Sequence, residues 1–448
     1  MKTVTFLALA ASLVQAAPHK RDTSNYDVIL SSTADVASVL GQLGLSADDD
    51  VVSATYTNSY FKGFSGAFTA DQIKSLDNVT EVSSVNTAVD LKIKATRSRA
   101  PWGLQRISQT DEITSTAQVS QAAYTYTYSD TSLGSGVDIY IVDTGIRTTH
   151  EQFGGRAKMG YTAFSSNTDD NGHGTHVSGT SAGSTVGIAS NANLIGVKVL
   201  DSAGSGTSSG LIGGLDYVAS QHSSRSSERD FIASVASMSL GFSGRSTSVE
   251  SALKSLSSAG VHIAVRPPTS PSPENLSTWR HILTPRRAQV AAGNDADNAC
   301  SYTPSALGGS NSNIITVGAS NINDEVAYFS NTGRCVDVYA PGLTTYSSYD
   351  DSDTTYAIAS GTSMATPHIS GLLAYFLAAD SSLRSSPATL KSYVKSAALS
   401  GKLSAGEGNV YSGDALILAN NGETGSNSLA AEVQGTEVDA VVDAGMFY

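Results

Sequence analysis

Three short blocks of this chain supply, in order, an acid, a base and a nucleophile. They are Val142-Asp143-Thr144-Gly145-Ile146, Gly172-His173-Gly174-Thr175-His176-Val177 and Gly361-Thr362-Ser363-Met364-Ala365-Thr366-Pro367. A serine hydroxyl attacks a carbonyl well when a histidine takes its proton. The histidine in turn needs a carboxylate to fix its tautomer and stabilise its charged form. Each block alone admits a plainer reading. Asp-Thr-Gly is common in turns and is also the mark of aspartic proteases, which need two carboxylates sharing a proton. No second Asp-Thr-Gly or Asp-Ser-Gly occurs here. His173 and His176 have the spacing of a zinc pair, yet no carboxylate ligand follows at helical spacing. Ser363 would also serve as a helix cap. Taken together and in this order, the blocks point to acyl transfer with Asp143, His173 and Ser363 as acid, base and nucleophile.

The surrounding patterns say what must position them. Asp143 ends the apolar run 137–142, which predicts a buried parallel strand. His173 opens a helix of small residues. Ser363 precedes the helical pattern of Ile369, Leu372, Leu373 and Phe376, so the helix dipole and free N–H groups lie beside a developing oxyanion. Further apolar strands are predicted at 193–199, 232–239, 261–265, 314–319 and 336–339, alternating with helical stretches. That alternation predicts an α/β fold with a parallel sheet covered on both faces. Residues 26–93 differ. They read β-α-β-β-α-β, a ferredoxin-like α+β pattern, with Thr69-x-x-Gln72 as a capping box.

Composition narrows the function class. The chain has 448 residues, a net charge of −13 and 15% charged residues, which fits a compact enzyme and excludes the basic stripes of nucleic-acid binding. Lys2, the apolar run 4–13 and Val14-Gln15-Ala16 read as a secretory signal over 1–16. No other segment is long and apolar enough to span a bilayer, so no membrane role is expected. The expected location is extracellular, or vacuolar. Cys300 and Cys335 are the only cysteines, and in an oxidising compartment the choice is one disulfide or two buried thiols. Lys20-Arg21 offers a dibasic processing site, and Asn78-Val79-Thr80 a glycosylation acceptor.

A family resemblance enters at Lys62-Gly-Phe-Ser-Gly-Ala-Phe-Thr-Ala-Asp-Gln-Ile73. This stretch resembles the inhibitor propeptide of subtilisin-type proteases, and the order Asp-His-Ser is the subtilisin one. The segment from Ala95 through Pro101-Trp102 to Ser108 is similar to the mature start of proteinase K and fungal alkaline proteases. The resemblance implies an inhibitory propeptide at 17–94 and a subtilisin-like catalytic domain at 95–421; residues 422–448, acidic, Gly/Ser-rich and without periodicity, read as a flexible tail. It implies a serine endopeptidase acting on protein or peptide substrates, with broad apolar or aromatic preference, and a monomer inhibited by its own propeptide. It makes His173 the catalytic histidine and His176 structural, and Asn294 the oxyanion donor. Gly204, Ser205, Gly206 and Ser239, Leu240, Gly241 become the substrate-flanking strands, where glycines admit a close peptide backbone. Phe242 stands where the family has a glycine, which would narrow the primary pocket. No catalytic cofactor is implied. A structural calcium is, on Asp337 with carbonyls of Ser312 and Ile314, while Lys402 replaces the aspartate of a second calcium site. The resemblance also favours pairing Cys300 with Cys335.

One segment does not belong to the pattern. The family runs directly from the strand at 261–265 to Ala291-Ala292-Gly293-Asn294. Here residues 265–289 intervene, rich in Pro and Arg in a chain poor in both. Val265-Arg266 can be encoded as a 5′ splice signal, Leu283-Thr284 as a branch point and Gln289 as a terminal CAG. The segment reads as an intron retained in frame, and its rival is a genuine loop insert. The second functional reading follows from it: a catalytically inactive secreted homologue, or an inhibitor acting through its propeptide.

Overall fold

The computed structural model describes residues 23–88, 94–116, 118–266, 294–423 and 441–446. The secretory signal and nearly all of the inserted segment lie outside these residues. The chain divides into two compact units, 1–92 and 93–448.

The first unit contains β1 (Thr23–Leu30), α1 (Val36–Gln42), β2 (Val52–Tyr56), β3 (Lys62–Thr69), α2 (Ala70–Ser75) and β4 (Val82–Thr87). The strand order is β2-β3-β1-β4, and each neighbouring pair is antiparallel. Val28, Leu30, Val39, Leu40, Phe64 and Phe68 form its core. The capping box is present: Thr69 Oγ1 accepts the Gln72 N–H and Gln72 Oε1 accepts the Thr69 N–H, closing two otherwise open donors at the start of α2.

The second unit begins with β5 (Ala95–Ala100), α3 (Trp102–Arg106) and β6 (Tyr124–Tyr128). Its centre is built from β7 (Val137–Asp143), β8 (Ala157–Thr162), α4 (His173–Ala182), β9 (Asn193–Lys198), α5 (Ser208–Arg225), β10 (Ala233–Met238), α6 (Thr247–Ser258), β11 (His262–Val265), β12 (Ile315–Ser320) and β13 (Val338–Pro341). After them come β14 (Thr345–Ser348), β15 (Tyr356–Ser360), α7 (Thr362–Ala379), α8 (Pro387–Ala397) and β16 (Val441–Met446). The large sheet has the order β13-β12-β11-β10-β7-β9-β8, and every neighbouring pair is parallel. This is the predicted α/β architecture.

Alternation along the strands decides what each face sees. On β7, Val137, Ile139 and Ile141 enter the core beneath α4 and α7, while Tyr140 and Val142 enter the one beneath α5 and α6. On β10, Ala233 and Val235 take the first core, Ala236 and Met238 the second. Asp143 and Ser239 continue the odd-numbered series and so belong to the α4/α7 side. Helix α7 is buried from Thr362 to Leu377. A helix apolar all round belongs in the interior, and this one packs along β10, β11 and β12.

The tail departs from expectation. Val441–Met446 forms β16, paired in parallel with β15 in a sheet of order β14-β15-β16. The segment Val-Val-Asp-Ala-Gly-Met is short and only partly apolar, so the pairing partner and not periodicity makes it a strand.

Candidate active site

The chain order around β7 reverses, with β8 and β9 on one side and β10 to β13 on the other. In parallel sheets, sites form at the carboxyl ends of strands beside such a reversal. Asp143 is the last residue of β7 and is fully buried. Its Oδ1 lies 2.7 Å from His173 Nδ1 and accepts the Thr144 N–H at 2.7 Å. His173 is the first residue of α4, whose ten residues are all buried. The helix start is fixed by Asp169, which sequence reading did not single out. Its Oδ1 accepts the Thr144 hydroxyl at 2.8 Å and the Gly172 N–H at 3.1 Å, and its Oδ2 accepts the Thr175 N–H at 2.8 Å. Gly174 allows the close approach, since a Cβ there would stand 2.0 Å from the Gly145 carbonyl oxygen.

Ser363 lies in the first turn of α7 and is 1% exposed. Its carbonyl accepts the Ser239 hydroxyl at 2.9 Å, so the residue after β10 holds the backbone of Ser363. Asn294 Oδ1 accepts the Thr362 N–H at 3.0 Å and the Thr362 hydroxyl at 3.2 Å. Two donors on the oxygen make Nδ2 the donor end of this amide. Asn294 is thereby tied to the residue before the nucleophile, although Ala291-Ala292-Gly293 lie outside the described residues.

His176 differs from His173. It is fully buried, its Nε2 faces the carbonyls of Thr345 and Ala357 at 3.1 and 3.2 Å, and burial pulls its pKa down to about 3. It is a neutral histidine joining α4 to β14 and β15.

The two segments expected to flank substrate leave the strands on either side of β7. Gly204-Ser205-Gly206 follows β9 in a turn where Asp201 Oδ1 accepts the N–H groups of Ala203 and Ser205, both at 2.9 Å. Ser239-Leu240-Gly241 follows β10. Phe242 packs against the core on the α5/α6 side and donates its N–H to the Thr303 carbonyl at 2.9 Å.

Lys198, at the end of β9, is 1% exposed. Its ammonium lies 2.6 Å from the Thr144 carbonyl and 2.6 Å from Asp170 Oδ1, so it steadies the turn after Asp143. A lone lysine ending an apolar strand was the available signal for it. Asp350 lies beside the start of α4, where a Cβ on Gly172 would meet its Oδ1 at 2.5 Å. Burial, then the Asp169 and Asp351 charges, push its pKa up to about 7. A carboxyl with a raised folded pKa costs stability once ionised, so this cost grows as pH rises from about 4 to about 7. D350N is expected to raise the melting temperature at pH 8 and to leave it unchanged below pH 4. Equal effects at both pH values would contradict the assignment.

Cys300 and Cys335 form a disulfide with Cα atoms 5.3 Å apart. The residues expected to hold calcium are drawn together around a lysine. Asp337 and the carbonyls of Ser312 and Ile314 do converge, but on the Lys391 ammonium. Its Nζ is 3.0 Å from Asp337 Oδ2, 3.0 Å from Ser312 O, 2.7 Å from Ile314 O and 2.8 Å from Gly309 O. Among the described residues no group of three or more His, Cys, Asp or Glu could hold a metal.

A buried Asp-His pair ends a parallel strand, and a serine opens the central helix, the arrangement expected of a subtilisin-type site. Residues 134–430 match the subtilase family, peptidase S8, and the chain belongs to that family: it is a serine endopeptidase. It is 37% identical over 393 residues to the subtilisin-like serine protease Cur l 4.0101 of Cochliobolus lunatus, covering 83% of this chain and 70% of that protein. It is 40% identical over 358 residues to the subtilisin-like serine protease pepC of Aspergillus niger, covering 76% and 60%. A cold adapted subtilisin-like serine proteinase of known crystal structure superimposes with a TM-score of 0.56 at 34% identity, covering 72% of this chain and 99% of that one. No helix among the described residues is long and apolar enough to cross a membrane.

Proposed function

We propose that the chain is made as a secreted zymogen and hydrolyses peptide bonds through Asp143, His173 and Ser363. The observation that carries this reading is the buried 2.7 Å contact between His173 Nδ1 and Asp143 Oδ1. With Nδ1 engaged by the carboxylate, proton transfer falls to Nε2. Ser363 Oγ attacks the carbonyl carbon while His173 Nε2 takes its proton, giving a tetrahedral oxyanion. The Ser363 N–H and Asn294 Nδ2 receive that charge. Collapse expels the amine, which takes the proton from His173, and water then repeats the sequence on the acyl-enzyme. Extended substrates add as a strand between 204–206 and 239–241, so main-chain bonds provide affinity and the side-chain pocket tolerates apolar and aromatic groups. Residues 17–94 act as the intramolecular inhibitor.

A fluorophosphonate probe tests the assignment. It is expected to label Ser363 in the processed protein and to leave H173A unlabelled. An intact fold with no labelling of Ser363 would favour the inactive homologue instead. N294L is expected to lower kcat by about 10²–10³ with KM changed little, because the donor acts on charge that develops only in the transition state. A loss confined to KM would remove Asn294 from the oxyanion site.

A further inference from the structure

We infer that Lys391 is a built-in replacement for a structural divalent cation, so that calcium has no seat at this position while the lysine is present. The residues that the family resemblance assigned to calcium are the ones gathered here, and they do not fit the metal. Calcium takes six to eight oxygens at about 2.3–2.6 Å. The oxygens of Gly309, Ser312, Ile314 and Asp337 stand instead 2.7–3.0 Å from a nitrogen, the spacing of hydrogen bonds from an ammonium.

Charge gives the same answer. Among the described residues Asp337 is the carboxylate paired with Lys391, and its side chain is fully buried. It already faces two cations, Lys391 and, at 3.4 Å, Lys395. A divalent ion would have to enter beside both or drive Lys391 out of a nearly closed site, where its side chain is 9% exposed. Without any cation, the three carbonyls and the carboxylate would converge with nothing between them, which buried polar groups do not tolerate. The ammonium is carried on α8 by covalent bonds. It joins that helix to the turn before β12 and to Asp337 before β13, and no chelator can remove it.

Thermal unfolding of the full chain, in an S363A background to stop self-digestion, tests this. The parent is expected to melt at one temperature in millimolar EGTA and in millimolar calcium. K391S vacates the ammonium's place and keeps the oxygens. It is expected to melt about 5–10 °C lower in EGTA and to regain more than half of that loss in calcium, by binding linkage. K391M, which fills the space without a charge, should stay low in both. Failure of calcium to rescue K391S, or equal rescue of K391M, would overturn the inference. So would a calcium-induced gain in the parent that D337N abolishes, a comparison that stands even where K391S does not fold.

Discussion

D143N is expected to lose about four orders of magnitude in kcat with KM within a few-fold of the parent. Asp143 Oδ1 carries both the Thr144 N–H and the His173 contact, each at 2.7 Å. An asparagine that keeps its oxygen there holds the ring but loses the negative charge that stabilises the imidazolium. One that turns its NH2 toward the ring forces the wrong tautomer. Either arrangement spares substrate binding and removes transition-state stabilisation, so the loss falls on kcat. Steady-state kinetics on a peptide substrate, with active sites counted by burst titration, reads it. A loss under a hundredfold would leave Asp143 a structural residue.

Excision of residues 265–289, joining Ala264 to Val290, is expected to raise the melting temperature and to raise kcat/KM at least several-fold, by removing a buried cation from the neighbourhood of Asp143. The reason is visible at Arg266, the last described residue at the start of the segment. It is 3% exposed, and its Nε and Nη1 have no hydrogen-bond partner among the described residues. Burial pulls its pKa down to about 10 against the opposing charges of Asp143 and Asp295. An unpartnered buried polar group costs about 1–3 kcal/mol. A cation within the field of Asp143 also competes with the imidazolium that the carboxylate must stabilise. Removing it should raise activity and melting temperature together. A shortened chain no more active than the parent would make the segment a genuine loop. Sequencing the transcript across these codons reads the same question independently: an mRNA that always keeps them rules out a retained intron.

The candidate triad was legible because its signals are local. Asp143, His173 and Ser363 each end or open an element whose periodicity is plain, and six apolar runs separated by helical stretches announced six of the seven strands of the main sheet. β8 (Ala-Lys-Met-Gly-Tyr-Thr) was not anticipated, because it lies at the sheet edge with a half-buried pattern that carries little apolar signal. Lys391 was invisible for another reason. It lies far along the chain from Asp337, on a different element, and only the packing of α8 brings its ammonium to those oxygens. Lys198 and Asp169 act through turns and carbonyls, which leave no spacing rule to read. β16 depends on the edge that β15 offers it.

The shared odd-numbered series on β7 and β10 bears on how such a chain can change over generations. Asp143 lies above Val137, Ile139 and Ile141, and Ser239 above Ala233 and Val235. Loss or gain of a single residue within either strand would throw its catalytic-end side chain to the opposite side of the sheet, while two would restore it. Loops between these strands are free to lengthen. Inside the strands, inherited length changes should survive only in even steps.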